Sequence, residues 1–293
     1  MRILVVGSSG YIGSRLVADL RNQACDVSLC SSRDGTGINP DTGLLPTDFC
    51  IEPGTDAVVY LACSPLSRMG SQGIGHIFAV NVQSAMVCAE AARRAGVRRY
   101  IYASTGNVYA PSFEPLSEMS SVRRDDWYAL SKLHAEEGLA LFRNSMDVIV
   151  TRLFGIYGPR QEGKLIPNLI RAVLNGQPIR LLGCPANAAH AQGFRLSVSF
   201  IDDVIGILTQ LIVKGGPGCL NVAGPDVLSI RKIAEAVGTA ANKVPVFDIP
   251  GVDGPSDLIA NIELLRRELS PLFTPFPEGL ARTIAEHCCP FPR

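Results

Sequence analysis

Short, almost uninterrupted apolar runs alternate with stretches of helical period through the first half of the chain. RILVV (2–6) is rich in β-branched residues and ends in glycines, and YIGSRLVADLRNQ then repeats its apolar side chains every three or four positions. DVSLC (26–30), DAVVYLA (56–62), RRYIYAS (98–104) and DVIVTRL (147–153) predict four more strands. HIFAVNVQSAMVCAEAARRAG (76–96) and DWYALSKLHAEEGLALFRN (126–144) predict helices between them. Strands alternating with helices imply parallel βαβ units, and continuously apolar strands imply a sheet covered on both faces. Residues 31–55, SSRDGTGINPDTGLLPTDFCIEPGT, break this rhythm with Gly, Pro, Asp and Thr and predict a loop. Beyond Gly158 the pattern is mixed, with helices predicted over 164–176, 202–212, 230–240 and 263–270 and a loop over 183–193.

Composition narrows the class without naming a function. A formal net charge of zero gives no support for a nucleic-acid or anionic-membrane partner. The nine cysteines are odd in number, contain no CxxC and fall partly in strand-like runs, so buried thiols in a reducing cytosol are expected. His76, His134, His190 and His287 form no metal-ligand spacing, and no metal is expected. The chain enters a strand at once, and no apolar run reaches spanning length, so a cytoplasmic protein without a membrane partner is expected.

The glycines after the first strand are the first chemical signal. Gly7, Gly10 and Gly13 stand between a strand and a helix, where a tight turn lets the backbone approach a pyrophosphate. Free N–H groups and the dipole at the helix N-terminus favour the negative charge. The end of the second strand usually selects the dinucleotide. Ser31 and Ser32 stand where an acid would bind the NAD ribose, and Arg33 follows, so NADP is favoured over NAD; Asp34, turned inward, would reverse this.

Tyr128 and Lys132 lie four apart on one predicted helix and share a face. Such pairs are common, so their neighbours in the chain decide what the pair means. GSSGYIG (7–13), YASTGNVYA (102–110), Tyr128-x-x-x-Lys132 and RLFGIYGPRQ (152–161), in that order, resemble the extended short-chain dehydrogenase/reductase family, in its branch of sugar-nucleotide epimerases, dehydratases and ketoreductases. Asn81 in AVNVQSA, RLSVSFIDDV (195–204) and NVAGP (221–225) add to the likeness.

The resemblance implies a Rossmann-like α/β fold: a doubly wound parallel sheet formed mainly by residues 1–160, with a smaller substrate domain mainly from 161–293. The LNV and VLSI segments are expected to return to the sheet. It implies that Tyr128 is the general acid or base, that Lys132 tunes it and holds the nicotinamide ribose, and that Thr105, preferred over Ser104, bonds the reacting oxygen. The cofactor would be held by Gly7, Gly10, Tyr11, Ile12, Gly13, Ser31, Ser32, Arg33, Asp48, Leu61, Ala62, Asn81 and Phe154 beside Tyr128 and Lys132. A nucleotide-sugar substrate would meet Thr105, Asn107, Arg160 and Arg195, the last suited to a diphosphate. Family dehydratases carry Asp-Glu after the hydroxyl residue. Gly106-Asn107 stands here, which disfavours 4,6-dehydration and leaves hydride transfer at C4, with a ketoreductase slightly favoured over a 4-epimerase. Gly155 replaces a frequent family Asn and removes one amide. A homodimer paired through 76–96 and 126–144 is expected. The alternatives are an inactive dinucleotide-binding regulator and a reductase of a non-sugar carbonyl.

Overall fold

A computed structural model describes residues 1–33, 35, 37–68, 70–183, 192–251 and 254–287. β1 (Arg2–Val6) leads through α1 (Tyr11–Asn22) to β2 (Asp26–Cys30), and an irregular stretch then reaches β3 (Ala57–Tyr60). α2 (Ile74–Phe78), a π-helical turn (Ala79–Gln83) and α3 (Ser84–Arg94) precede β4 (Arg99–Thr105). α4 (Trp127–Ala140) and β5 (Asp147–Leu153) follow. The second half holds β6 (Ile156–Tyr157), α5 (Leu165–Leu174), β7 (Pro178–Arg180), β8 (Arg195–Ser197), β9 (Ser199–Phe200) and α6 (Ile201–Lys214). It ends with β10 (Cys219–Val222), β11 (Val227–Ser229), α7 (Ile230–Ala241), β12 (Val246–Asp248), α8 (Glu263–Leu269) and α9 (Phe276–His287).

Six strands form one parallel sheet in the order β10-β5-β4-β3-β1-β2. The chain runs outward from β1 to β2 and then returns past β1 to β3. Strand order therefore reverses between β1 and β3, and a crevice opens at their C-terminal ends. Both faces are buried, as continuously apolar strands require. Ile3, Val5, Val59, Ile101 and Ile149 pack toward α1 and α6, whereas Leu4, Val6, Val58, Tyr100, Tyr102 and Val148 pack toward α3 and α4. Among the described residues no helix is long and apolar enough to cross a membrane.

Helix 76–96 is not one regular helix. Tyr60 Oη donates to the Val80 carbonyl at 2.6 Å, and Tyr102 Oη donates to that of Asn81 at 2.8 Å. These buried phenols take carbonyls of the π-helical turn, which a straight α-helix would keep for its own ladder. The LNV segment joins the sheet as β10, but VLSI does not; β11 pairs antiparallel with β8 in a separate two-stranded sheet. Of the six described cysteines, Cys30 and Cys88 are buried, while Cys50 and Cys63 are exposed, contrary to a uniformly buried set. Cys184, Cys288, Cys289, His190 and Asp34 lie outside the described residues.

Asn221 on β10 ties the two halves together. Its Oδ1 accepts Tyr109 Oη at 2.7 Å, and its Nδ2 donates to Leu116 O at 2.8 Å and Asn261 O at 3.3 Å. The residue is fully buried, so its removal strands three partners without water. Asn221→Ala is expected to cost about 2–4 kcal/mol in urea unfolding. A loss below about 1 kcal/mol would show that the network is relieved elsewhere.

Candidate active site

The crevice at the β1/β3 reversal is a cleft of about 1760 Å³. Gly7, Gly10, Tyr11, Ile12 and Gly13 form one wall. Gly7 has φ +84°, and a Cβ there would stand 2.8 Å from Ala62 N; one at Gly13 would run into the Gly7 carbonyl. The turn thus packs backbone against backbone. Gly10, the N-cap of α1, offers no side-chain cap, and the first turn carries no acidic residue. The helix N–H groups are left for an anion, and the residues present fit a dinucleotide pyrophosphate.

Thr105, at the end of β4, and Tyr128 and Lys132, on α4, meet in the same cleft. Asp126 Oδ1 caps α4 by accepting Ala129 N–H at 2.8 Å, placing Tyr128 in the first turn. Thr105 Oγ1 accepts Asn107 N–H at 3.2 Å, and Thr105 and Tyr128 line the same cleft. Ser104 is not its equal, because its Oγ is spent on Glu136. Lys132 is buried and donates Nζ to the Ala103 carbonyl at 2.8 Å, with Nζ 4.6 Å from the Tyr102 ring centre.

Burial pushes the Tyr128 phenol well up, Cys63 adds to this, and the Thr105 hydroxyl pulls partly back. Burial lowers Lys132, with Cys63 and Glu136 opposing. The phenol is therefore protonated at neutral pH here, the form of a proton donor. In this state Thr105 rather than Lys132 is the neighbour that lowers it.

Ser32, Arg33, Leu61, Ala62, Asn107, Phe154 and Arg160 also line the cleft. Four expected positions do not. Ser31 is buried, with its hydroxyl on Ser9 Oγ at 2.8 Å. Asn81 is buried and braces the scaffold through Ser131 Oγ at 2.9 Å and Ser64 N at 3.3 Å. Asp48 lines a separate cavity of about 340 Å³ beside β2, and Ile38, Asn39 and Pro40 take the cleft wall instead. Arg195 is held by Asp257, Nε to Oδ2 at 2.8 Å, while its strand neighbours Phe194 and Leu196 face the cleft. Arg160 pairs with Glu286 at 2.7 Å.

Cys63 and Arg15 are cleft residues that motif reading passed over. Their positions held the signal: Cys63 directly follows Leu61-Ala62, and Arg15 lies one helical turn beyond Tyr11. His76 lines the cleft too, its Nε2 donating to the Pro40 carbonyl at 3.0 Å and its Nδ1 meeting Ser64 Oγ at 2.8 Å.

Residues 3–223 match the model of the NAD dependent epimerase/dehydratase family. The chain belongs to that family. Among its relatives, the dTDP-glucose 4,6-dehydratase of Streptomyces niveus is 30% identical over 320 aligned positions, covering 97% of this chain and 92% of the relative. The UDP-glucose 4-epimerase of Mycolicibacterium smegmatis is 29% identical over 282 positions, covering 85% and 86%. The structure of MoeE5 in complex with UDP-glucuronic acid and NAD superposes with a TM-score of 0.80 at 24% identity, covering 98% and 99%. That likeness establishes the fold. It also lends nothing to the NADP expectation, since that neighbour contains NAD.

As a family member, the chain should depend on its glycine turn for cofactor. Gly13→Ala forces a Cβ against the Gly7 carbonyl. It is expected to weaken dinucleotide binding at least about tenfold, roughly 1.4 kcal/mol, in a fluorescence titration. An unchanged Kd would remove the turn from the binding site.

Proposed function

We propose that this chain interconverts nucleotide-activated sugars by oxidising a sugar carbon and reducing it again, an epimerase chemistry with C4 as the reacting carbon. The observation that carries this reading is the convergence of Thr105, Tyr128 and Lys132 beside the phosphate-binding turn. NAD held at the glycine turn would supply a reversible hydride acceptor for that carbon. The family model and the NAD-containing structural neighbour support that dinucleotide over NADP, and with it a recycled cofactor over net reduction.

The chain's own groups then have distinct work. Tyr128 acts as the phenolate when it takes the sugar hydroxyl's proton as the alcohol is oxidised, and as the phenol when it returns that proton on reduction, so the phenol of the empty cleft first gives up its own proton. The Thr105 hydroxyl bonds that oxygen or the phenolate and fixes the approach. A phenol ordinarily ionises near pH ~10, and in a dry site a nearby ammonium lowers the cost of the phenolate. Lys132 is that ammonium. The first turn of α4 adds the positive end of a helix dipole beside Tyr128. Arg160 remains the candidate for the substrate diphosphate, and Arg195, bound to Asp257, is withdrawn from that role.

Dehydration would need a further acid and base beside Thr105. Gly106 and Asn107 supply neither, and the nearby Asp126 is engaged as a helix cap.

Tyr128→Phe is expected to lower kcat at least about a thousandfold while leaving NAD affinity within about twofold. The assay supplies NADH and NADPH separately and screens UDP-, dTDP- and GDP-sugars. Sugar interconversion without net cofactor loss is the expected result. Stoichiometric NADPH consumption would instead establish a reductase, and full activity in the Phe variant would sink the assignment of Tyr128.

A further inference from the structure

α4 meets β4 in three successive rungs. Tyr128, Lys132 and Glu136 are spaced at i, i+4 and i+8 and stack on one helix face. Lys132 donates to the Ala103 carbonyl and Glu136 accepts the Ser104 hydroxyl, and Tyr128 shares the cleft with Thr105, the next residue of β4. The mechanism above uses the first two rungs and leaves the third unexplained.

That third rung is a buried ion pair. Glu136 and Arg152 are each 7% exposed. Glu136 Oε2 accepts Arg152 Nη2 at 2.6 Å and Nε at 3.1 Å, and Oε1 accepts Ser104 Oγ. Arg152 also donates Nη1 to the Glu118 carbonyl at 3.3 Å and lies over the Tyr109 ring at 4.7 Å. Burying two charges is costly, and an apolar pair of similar volume usually serves stability as well or better. A carboxylate fixed one turn behind a buried ammonium has another use.

We infer that Glu136 is a positioning residue: clamped by Ser104 and Arg152, its carboxylate keeps the Lys132 ammonium charged beneath Tyr128. This rests on the reading of Tyr128 and Lys132 as the acid–base pair. Lys132 has a neutral carbonyl as its hydrogen-bond acceptor, so its charge depends on the field around it. The titratable and charged groups facing it are Cys63 after β3, Tyr102 on β4, Tyr128 and Glu136 on α4, and Arg152 on β5 behind the carboxylate. Burial opposes the ammonium, and Cys63 and then Glu136 favour it.

The sign follows. Without the carboxylate, Lys132 loses its proton at lower pH, and the alkaline limb of activity moves down with it. The chain has five lysines, Lys132, Lys164, Lys214, Lys232 and Lys243, so ε-13C labelling makes the titration readable without any substrate. Lys132→Met assigns the resonance. Glu136→Gln is expected to lower the Lys132 midpoint by about one pH unit or more, and Glu136→Asp to restore most of it. Removing a single partner of a buried pair can unfold the chain, so the double variant Glu136→Met with Arg152→Met provides a folded background, in which the midpoint should also fall. Cys63→Ala separates the thiol's share and should leave the Glu136 effect in place.

A Lys132 midpoint unmoved in Glu136→Gln, or in the double variant where the single one does not fold, would overturn the proposal and leave the pair a structural clamp. The titration reads Lys132 itself. An active Tyr128→Phe enzyme would therefore defeat the proposed mechanism without altering this measurement.

Discussion

The contact between the Gly7 turn and the Leu61–Ala62 backbone governs where everything else in the cleft can stand. β1 and β3 are neighbours in the sheet, and their exits approach so closely that Gly7 has no space for a side chain. This closeness aims the N-terminus of α1 into the crevice while Leu61, Ala62 and Cys63 form the facing wall. β4, next to β3, then delivers Thr105 along the same edge, and α4 packs its tyrosine and lysine over it. A bulkier turn would push α1 away from β3 and open the distance between the anion site and the hydroxyl. The dinucleotide geometry is thus a consequence of sheet packing and does not depend on a set of dedicated ligands.

The second constraint is dryness. Lys132 is buried and Tyr128 half-buried, and both are shifted toward their neutral forms. Such a site pays in desolvation, and several polar groups behind the cleft are hydrogen-bonded to one another or to backbone carbonyls. Tyr60 and Tyr102 satisfy helix carbonyls, Asn81 bridges Ser64 and Ser131, and Glu136 is shared by Ser104 and Arg152. A proton moved in the cleft faces little competition from bulk solvent, which is where a phenol with a displaced pKa becomes useful.

The first five strands and the glycine turn were legible because each is a local statement: a continuous apolar run is buried on both faces wherever it sits. Thr105, Tyr128 and Lys132 were legible because helix spacing and strand exit fix direction. Asp48, Asn81 and Arg195 do not line the cleft, because their direction depends on tertiary detail. Arg195 lies on a three-residue strand whose alternation sends Leu196, not Arg195, to the cleft, and Asp257, 62 positions away, completes the choice. The loop over 31–55 showed no period, so the wall formed by Ile38–Pro40 had no signal to read. α9 escaped for a related reason: FPEGLARTIAEH carries Pro and Gly inside its first turns, and only packing makes it a helix.

The carboxylate missing after Thr105 is a different kind of fact, because packing enforces it. A Cβ on Gly106 would lie 2.6 Å from Cε1 of Phe154, and Phe154 is fully buried against the Tyr109 ring. Tyr109 in turn is fixed by Asn221 and lies beneath Arg152. Placing an acid at 106 would therefore require Phe154 to move, and with it the cluster that clamps Glu136. The surroundings of Thr105 have been built around the absence of that side chain. A side chain at position 106 cannot be added without repacking Phe154. The same aromatic packing that fills the space beside Gly106 also carries Arg152, and through it the carboxylate of Glu136.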